Sequence, residues 1–422
     1  MAQETIKYIL VVEDSLMFTR ILKRSIESAK QFKVVSVENF AELKVLLAEK
    51  KYSFFAALLD VNLPDAPNGE VIDYVVQYNI PSIIFTGKLD ERFRNKIYTQ
   101  GIVDYVLKEG RTNVDYVVSL LNQLERNRKL EVLVVDDSKS VRTYIRKLLL
   151  IYQFKVQEAH DGPEALRILK EKNNISLVLT DFNMPVMDGL ELTKEIRSKY
   201  SSQEMAVIGM STFGNNQLSA RFLKLGGSDF LTKPFLEEEF FCRINQNMEL
   251  LEHIRELKYL AARDHLTGLF NRRHFFDEGN LLFESQKNKQ STISAALLDI
   301  DFFKKVNDSY GHDAGDAVLA KIGRILQDEF SGKDIAARFG GEEFCFLLCD
   351  KTPEQALLKL QTLAARIADE TFVLEDGFEF KVTVSIGVFS GREDSLQSSL
   401  SRADKALYQA KENGRNQVIL AE

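Results

Sequence analysis

The feature that most constrains this chain is a repeat. "YILVVEDS" at residues 8–15 returns as "EVLVVDDS" at 131–138, an offset of 123 residues. An offset of that size matches the length of a compact α/β domain, so the chain holds two copies of one fold. Each copy opens with an apolar strand ending in two acids and a serine, followed by a helical pattern. Ile21, Leu22 and Ile26 carry the helical spacing in the first copy; Val141, Ile145, Leu148 and Leu149 carry it in the second.

The copies continue in step. A second apolar strand ends in aspartate, "FFAALLD" at Asp60 and "ISLVLTD" at Asp181, each before a loop with proline and glycine. A third ends in a hydroxyl, Thr86 or Ser211, and a fourth in lysine, Lys108 or Lys233. Continuous apolar strands alternating with helices predict a parallel, doubly wound sheet. Functional side chains then gather at the carboxyl ends of the strands. Three carboxylates brought together repel, and a bound Mg²⁺ relieves the repulsion. The lone aspartate can then attack a phosphoryl group, and the hydroxyl and ammonium can hold the added oxygens. A single strand-end acid would simply face solvent; five matching positions, occurring twice, argue for a site.

These residues resemble the response-regulator receiver family over about 1–125 and 130–250. The resemblance implies two five-stranded parallel receiver domains. Asp60 and Asp181 would be phospho-acceptors. Glu13 and Asp14 with Asp60, and Asp136 and Asp137 with Asp181, would hold Mg²⁺. Thr86 with Lys108, and Ser211 with Lys233, would sense the phosphoryl group. The first copy departs from the family in a loop one residue longer before Gly69 and in Glu109, where proline is usual.

Composition sets bounds. The 422 residues suffice for about three domains. Apolar residues at 45% and charged residues at 28% are the balance of a soluble globular protein. A net charge of −7 argues against a nucleic acid polymer as the main partner, though not against a nucleotide held through a metal ion. The N-terminus lacks a signal-peptide layout, and no apolar run approaches the ~20 residues that span a bilayer. Cys242, Cys345 and Cys349 form no metal or disulfide framework, which predicts a reduced, cytoplasmic protein without membrane insertion. Cys345 and Cys349 are expected in the core.

Residues 236–263 contain neither Gly nor Pro, and apolar residues recur at 244, 248, 251, 254, 257 and 261. That spacing predicts one amphipathic helix running out of the second copy, packed on its own domain or in a two-helix coil.

The last third carries five motifs in order: "DHLTGLFNRRHF" from Asp264, "AALLDIDFFKKVNDSYGHDAGDAVL" at 295–319, "RFGGEEF" at 338–344, "VTVSIGVF" at 382–389 and "SRADKALYQAKENGRN" at 401–416. Together they resemble the GGDEF domain of diguanylate cyclases over about 262–422. The resemblance implies a mixed α/β, nucleotidyl-cyclase-like fold that joins two GTP into cyclic di-GMP and pyrophosphate. Such a reaction needs an activated 3′-hydroxyl and a neutralised leaving group, work suited to cations held by carboxylates. Asp299 and Glu342, with the Ile300 carbonyl, would hold Mg²⁺ or Mn²⁺. Glu343 would ligate metal or accept the hydroxyl proton. Gly340 and Gly341 would let the backbone approach substrate. Backbone N–H groups of Phe302, Phe303 and Lys304 would meet the β- and γ-phosphates, with Lys411 and Arg415. Asn307 and Asp316 would read guanine, Asp316 accepting its two donors, which favours GTP over ATP.

Many diguanylate cyclases carry an RxxD product-binding site just before the signature. Here that stretch is "SGKD", with Asp334 in place but Ser331 where arginine would supply a planar fork. Weak or absent product inhibition is expected.

The expected organisation is receiver 1 at 1–127, receiver 2 at 128–237, a helical linker at 238–263 and a GGDEF domain at 264–422. The expected activity is a diguanylate cyclase, acting as a homodimer and switched through its receivers by a histidine kinase or phosphotransfer protein. The alternatives are a non-catalytic GGDEF regulator that binds nucleotide or a partner, and a cyclase making another cyclic nucleotide.

Overall fold

The computed structural model describes residues 6–87, 101–108, 110–172, 174–212, 216–286, 293–330, 332–373, 377–391, 393 and 395–421. Two of the sequence features above, Ser331 and Glu109, lie outside them. The chain divides into two compact units, 1–253 and 254–422.

The first unit holds both repeats. The first runs β1 (Lys7–Val12), α1 (Leu16–Ser28), β2 (Phe32–Val37), α2 (Phe40–Ala48), β3 (Phe54–Leu59), α3 (Glu70–Val76), β4 (Ser82–Thr86), β5 (Asp104–Leu107) and α4 (Gly110–Asn127). The second runs β6 (Glu131–Val135), α5 (Lys139–Ile151), β7 (Lys155–Ala159), α6 (Gly162–Glu171), β8 (Ile175–Asp181), α7 (Gly189–Arg197), β9 (Ala206–Ser211), α8 (Asn216–Lys224) and β10 (Asp229–Thr232). The sheets have matching orders, β2-β1-β3-β4-β5 and β7-β6-β8-β9-β10, with every pairing parallel. Strands β3, β4, β6, β8 and β9 are buried along nearly their whole length, as their unbroken apolar runs predict.

The two repeats are not separately packed. One continuous core joins α1 and α4 of the first to α5 of the second and to α9 (Glu237–Ala262). Tyr152, just after α5, is its keystone. Its ring stacks on Phe241 at 3.5 Å, its hydroxyl donates to the Val103 carbonyl at 2.5 Å, and its own carbonyl accepts from Asn127 Nδ2 at 2.9 Å. Helix α9 is a single helix, as the spacing predicts. Phe240, Phe241, Ile244, Met248 and Leu251 are buried, so the first half of its apolar stripe is spent on the receivers. Leu257 and Leu260, further along, are 66% and 63% exposed.

The second unit continues with β11 (Phe270–Asn271), α10 (Arg272–Gln286), β12 (Ile293–Ile300), α11 (Phe303–Tyr310), α12 (His312–Glu329), β13 (Ile335–Gly340), β14 (Glu343–Cys349), α13 (Pro353–Asp369), β15 (Phe372–Val373), β16 (Glu379–Phe380), β17 (Val384–Ser390), α14 (Leu396–Glu412) and β18 (Val418–Leu420). Its main sheet has the order β11-β13-β14-β12-β17-β18. The central pairings of β12 with β14 and β17 are antiparallel, while β11–β13 and β17–β18 are parallel, the mixed arrangement expected. Cys345 and Cys349 are buried in it, and burial pushes both thiols up, as core cysteines should be. Among the described residues no helix is long and apolar enough to cross a membrane.

Candidate functional site

In the first receiver the strand ends converge as the repeat predicts. Glu13, Asp14 and Asp60 each offer a carboxylate oxygen within 4.8 Å of the others. Lys108 crosses from the end of β5 to bridge Glu13 and Asp60, 2.6 Å from each. Its backbone N–H donates to the Thr86 carbonyl at 2.8 Å, which ties the hydroxyl-bearing strand end to the lysine. Burial pushes the Glu13 carboxyl up, Lys108 opposes this, and the Asp60 charge adds to it. Three clustered oxygens with one carboxyl under strain are a donor set suited to a hard divalent cation.

The second receiver repeats the arrangement. Lys233 pairs with Asp136 at 2.7 Å and Asp181 at 2.6 Å, and its N–H donates to the Ser211 carbonyl at 2.7 Å. Burial raises the Asp181 carboxyl, with Lys233 opposing and Asp136 adding. Lys233 and Pro234 are joined by a cis peptide. The tight three-carboxylate grouping of the first receiver is found only there among the described residues, so Asp136, Asp137 and Asp181 are not drawn together as closely.

The residues expected to serve cyclase chemistry gather at one end of the mixed sheet. Register pairs Asp299 on β12 directly with Glu343 on β14. Lys411, in the last turn of α14, reaches Asp299 Oδ2 at 2.8 Å. Burial pushes the Asp299 carboxyl up, Lys411 opposes, and Asp301 adds. Glu343 is raised as well, by burial first and then by Asp299, against the pull of Lys411. Two cross-strand carboxylates that each disfavour the other's charge, beside Glu342 on the turn, form a set that a divalent cation would relieve.

The turn is held from outside. Arg338 donates from Nε and Nη2 to the Gly341 carbonyl, at 3.0 and 2.9 Å, and from Nη1 to Asp264 at 3.2 Å. Gly341 has φ +52, and a Cβ on either Gly340 or Gly341 would meet nothing within 4 Å. The space above the pair is therefore open, and Gly341 is required by its backbone as well.

Ile300 ends β12 with its side chain buried, and Phe302 and Phe303 follow at the start of α11. Phe303 is core, Phe302 is exposed, and Lys304 is exposed beside them. Asn307 packs with Oδ1 against Gly315, where an added Cβ would lie 2.0 Å away. That contact sets Asn307 and the neighbouring Asp316 at one crossing of α11 and α12. Asp316 lies inside α12, whose N-cap is Gly311, so it is not a helix cap. Arg415 follows α14, with its guanidinium over the Phe302 ring.

Asp334 is occupied within the chain. It accepts from the Cys349 N–H at 3.0 Å, from Lys351 at 2.9 Å and from Lys359 at 3.1 Å. Ser331 lies outside the described residues.

Two anchors have no assigned role in the sequence reading. Asp301, the second acid of "LDID", accepts from Thr383 and Ser385 hydroxyls at 2.7 Å each and from the Asn416 N–H at 3.0 Å. It fastens the end of β12 to the segment after α14. Asp264 receives Arg338 and the Thr267 N–H and hydroxyl, and fixes the turn. Both stood in motifs, Asp301 one residue past the end of an apolar strand and Asp264 at the start of a loop, and an acid without an assigned role at such a place was the available signal.

A family model for the diguanylate cyclase GGDEF domain matches residues 261–417, and one for the response regulator receiver domain matches 9–114 and 132–245. The chain belongs to the response regulators that join receivers to a GGDEF domain. It is 31% identical over 298 residues to response regulator PleD of Caulobacter vibrioides, a match covering 68% of this chain and 65% of that protein. The chain thus spans just under two thirds of that relative. Over 323 residues it is 31% identical to diguanylate cyclase A of Treponema denticola, covering 72% of this chain and 86% of that protein. Among solved structures, a two-component system response regulator/GGDEF domain protein superposes with a TM-score of 0.53 at 36% identity, covering 58% of this chain and 99% of that one.

Proposed function

We propose that this response regulator is a diguanylate cyclase, condensing two GTP to cyclic di-GMP with release of two pyrophosphates. The observation that carries the reading is the Asp299–Glu343 cross-strand pair with Lys411 beside it. Asp299, Glu342 and the Ile300 carbonyl would hold a divalent cation, Mg²⁺ or Mn²⁺. Bound there, it supplies charge neutralisation at the leaving phosphates and acidity at the attacking hydroxyl. Lys411 and Arg415 bind the triphosphate, aided by backbone N–H groups at 302–304. Asn307 and Asp316 orient guanine, and an adenine would leave Asp316 unpaired. Glu343 ligates metal or takes the hydroxyl proton.

One active half-site holds one GTP, so two chains meet as a homodimer to bring the 3′-hydroxyls to each other's α-phosphates. Phosphorylation of Asp60 or Asp181 by a histidine kinase or phosphotransfer protein biases that meeting, in the cytoplasm, through the shared receiver core and α9. Lys108 and Lys233, now paired with the acceptor aspartates, would turn to the phosphoryl oxygens, with Thr86 and Ser211. Product inhibition through Asp334 is weak, because the carboxylate already has three donors from its own chain.

Purified protein incubated with GTP and Mg²⁺, with ATP in parallel, and resolved by chromatography tests the activity. Cyclic di-GMP from GTP alone is expected; no dinucleotide, or an adenine product, overturns it. An Asp60→Asn/Asp181→Asn chain that responds to a phosphoryl donor as the parent does would refute the switching.

A further inference from the structure

Phe302 is an unusual residue for its place. It is the N-cap of α11, yet it has φ +56 and ψ 28 and makes no side-chain cap hydrogen bond. A bulky residue in the left-handed region is an outlier, and such strain gathers at functional sites. Its ring is also 52% exposed, on the loop just past the carboxylate pair.

Two cations sit over the ring. The Arg415 guanidinium carbon lies 4.6 Å from the ring centroid, and Lys305 Nζ lies 4.5 Å from it. Arg415 and Asn416 are themselves left-handed, with φ of +66 and +47. The two strained segments are tied together a second time, by the Asn416 N–H on Asp301. Asp301 in turn is pinned by Thr383 and Ser385. The sequence reading used only the backbone of Phe302; the structure gives its side chain a partner 113 residues away.

We propose that the Phe302 ring is a positioning element for Arg415. A long arginine side chain samples many rotamers, and ordering it on substrate arrival weakens binding. A guanidinium stacked by its face is held in place while its in-plane N–H donors stay directed outward, toward an anion. The ligand chemistry this selects is the phosphate tail of a nucleoside triphosphate. The strained backbone at 302 and 415 is the means of bringing ring and guanidinium together. The inference rests on the nucleotide-binding reading above and adds to it a residue whose side chain acts through another.

The test is a set of variants in the full chain, read by steady-state kinetics on GTP. Phe302→Ala is expected to raise KM about 3- to 10-fold, the scale of one lost cation–π contact, with kcat changed less than KM. Phe302→Tyr, which keeps the ring, restores KM. Phe302→Gly, which relieves the backbone but lacks the ring, follows Phe302→Ala. In the double variant with Arg415→Ala, the loss is no greater than for Arg415→Ala alone, because the ring acts through the guanidinium. An unchanged KM in Phe302→Ala, a Phe302→Gly chain that behaves as the parent, or multiplicative losses in the double variant overturns the proposal. Calorimetric binding of a nonhydrolysable GTP analogue repeats the comparison without turnover. A parent chain that binds the analogue but makes no dinucleotide refutes the cyclase reading and still decides the Phe302 role. A parent that does not bind it refutes both.

Discussion

Lys411 holds Asp299 at 2.8 Å, joining the last turn of α14 to the end of β12. This ion pair is the link between the helix that carries the cations and the strand that carries the acid. Burial still leaves the Asp299 carboxyl above its ordinary range. A carboxyl whose folded pKa is raised destabilises the fold at pH above that value, since the charged form is disfavoured there. Asp299→Asn is therefore expected to lose about 100-fold or more in cyclic di-GMP synthesis while melting no lower than the parent at pH 7. A fall of several degrees in Tm would show Asp299 to be structural instead.

Helix α14 is seated on β17 through Gly387. A Cβ at that position would lie 2.1 Å from the Ala403 carbonyl oxygen and 2.2 Å from the Leu407 nitrogen. Both are backbone atoms, so relief requires the whole helix to shift. Gly387→Ala is expected to cost about 1–3 kcal/mol by overpacking and to raise KM for GTP, because Lys411 and Arg415 move with the helix. Denaturant unfolding and kinetics check the two effects together. A stable variant with unchanged KM would mean that the helix position does not set the phosphate site.

Asp334 offers a pH test. Burial would raise it, but the Cys349 N–H, Lys351 and Lys359 outweigh burial and hold its carboxyl below the ordinary range. A depressed folded pKa contributes stability that is present above the unfolded value and lost as pH falls through the folded one. Asp334→Asn is expected to be less stable than the parent at pH 7 by about 1 kcal/mol, since the lysines are partly solvated. The difference should shrink as pH falls below about 4. Urea unfolding from pH 7 to pH 3 measures it; a difference that does not vary with pH would show that the charge is not what stabilises.

The receivers and the cyclase motifs were legible because their signals are local. Each strand run carries its functional residues at its end, and four such ends, with five matching positions, repeat in order. The resemblance set the GGEEF turn beside Asp299 and named Glu342 as its partner, and the sheet register pairs Asp299 with the next residue, Glu343. Asp301 could not be assigned, because its donors lie 82 to 115 residues further along the chain. Phe302 and Arg415 are each visible in a motif, but their contact depends on two left-handed turns that no periodicity encodes. The stripe at 244, 248 and 251 predicted a helix with one apolar face. It could not say that the face would be covered by the receivers, since amphipathicity states that a surface is buried and not by what.

Tyr152 and the core around it bear on how the receivers can be handled and how they can have diverged. Each presents to the other a face that water would otherwise wet, with Val117, Leu121 and Leu124 on one side and Ile145, Leu149 and Phe241 on the other. Excising either receiver would leave a bare greasy surface on the remainder, so a truncated protein would be prone to clump. The pair is thus expected to fold and be handled as a unit. A change in one partner's face has to be matched in the other, and a receiver that ceased to accept phosphate would still be retained as the other's support.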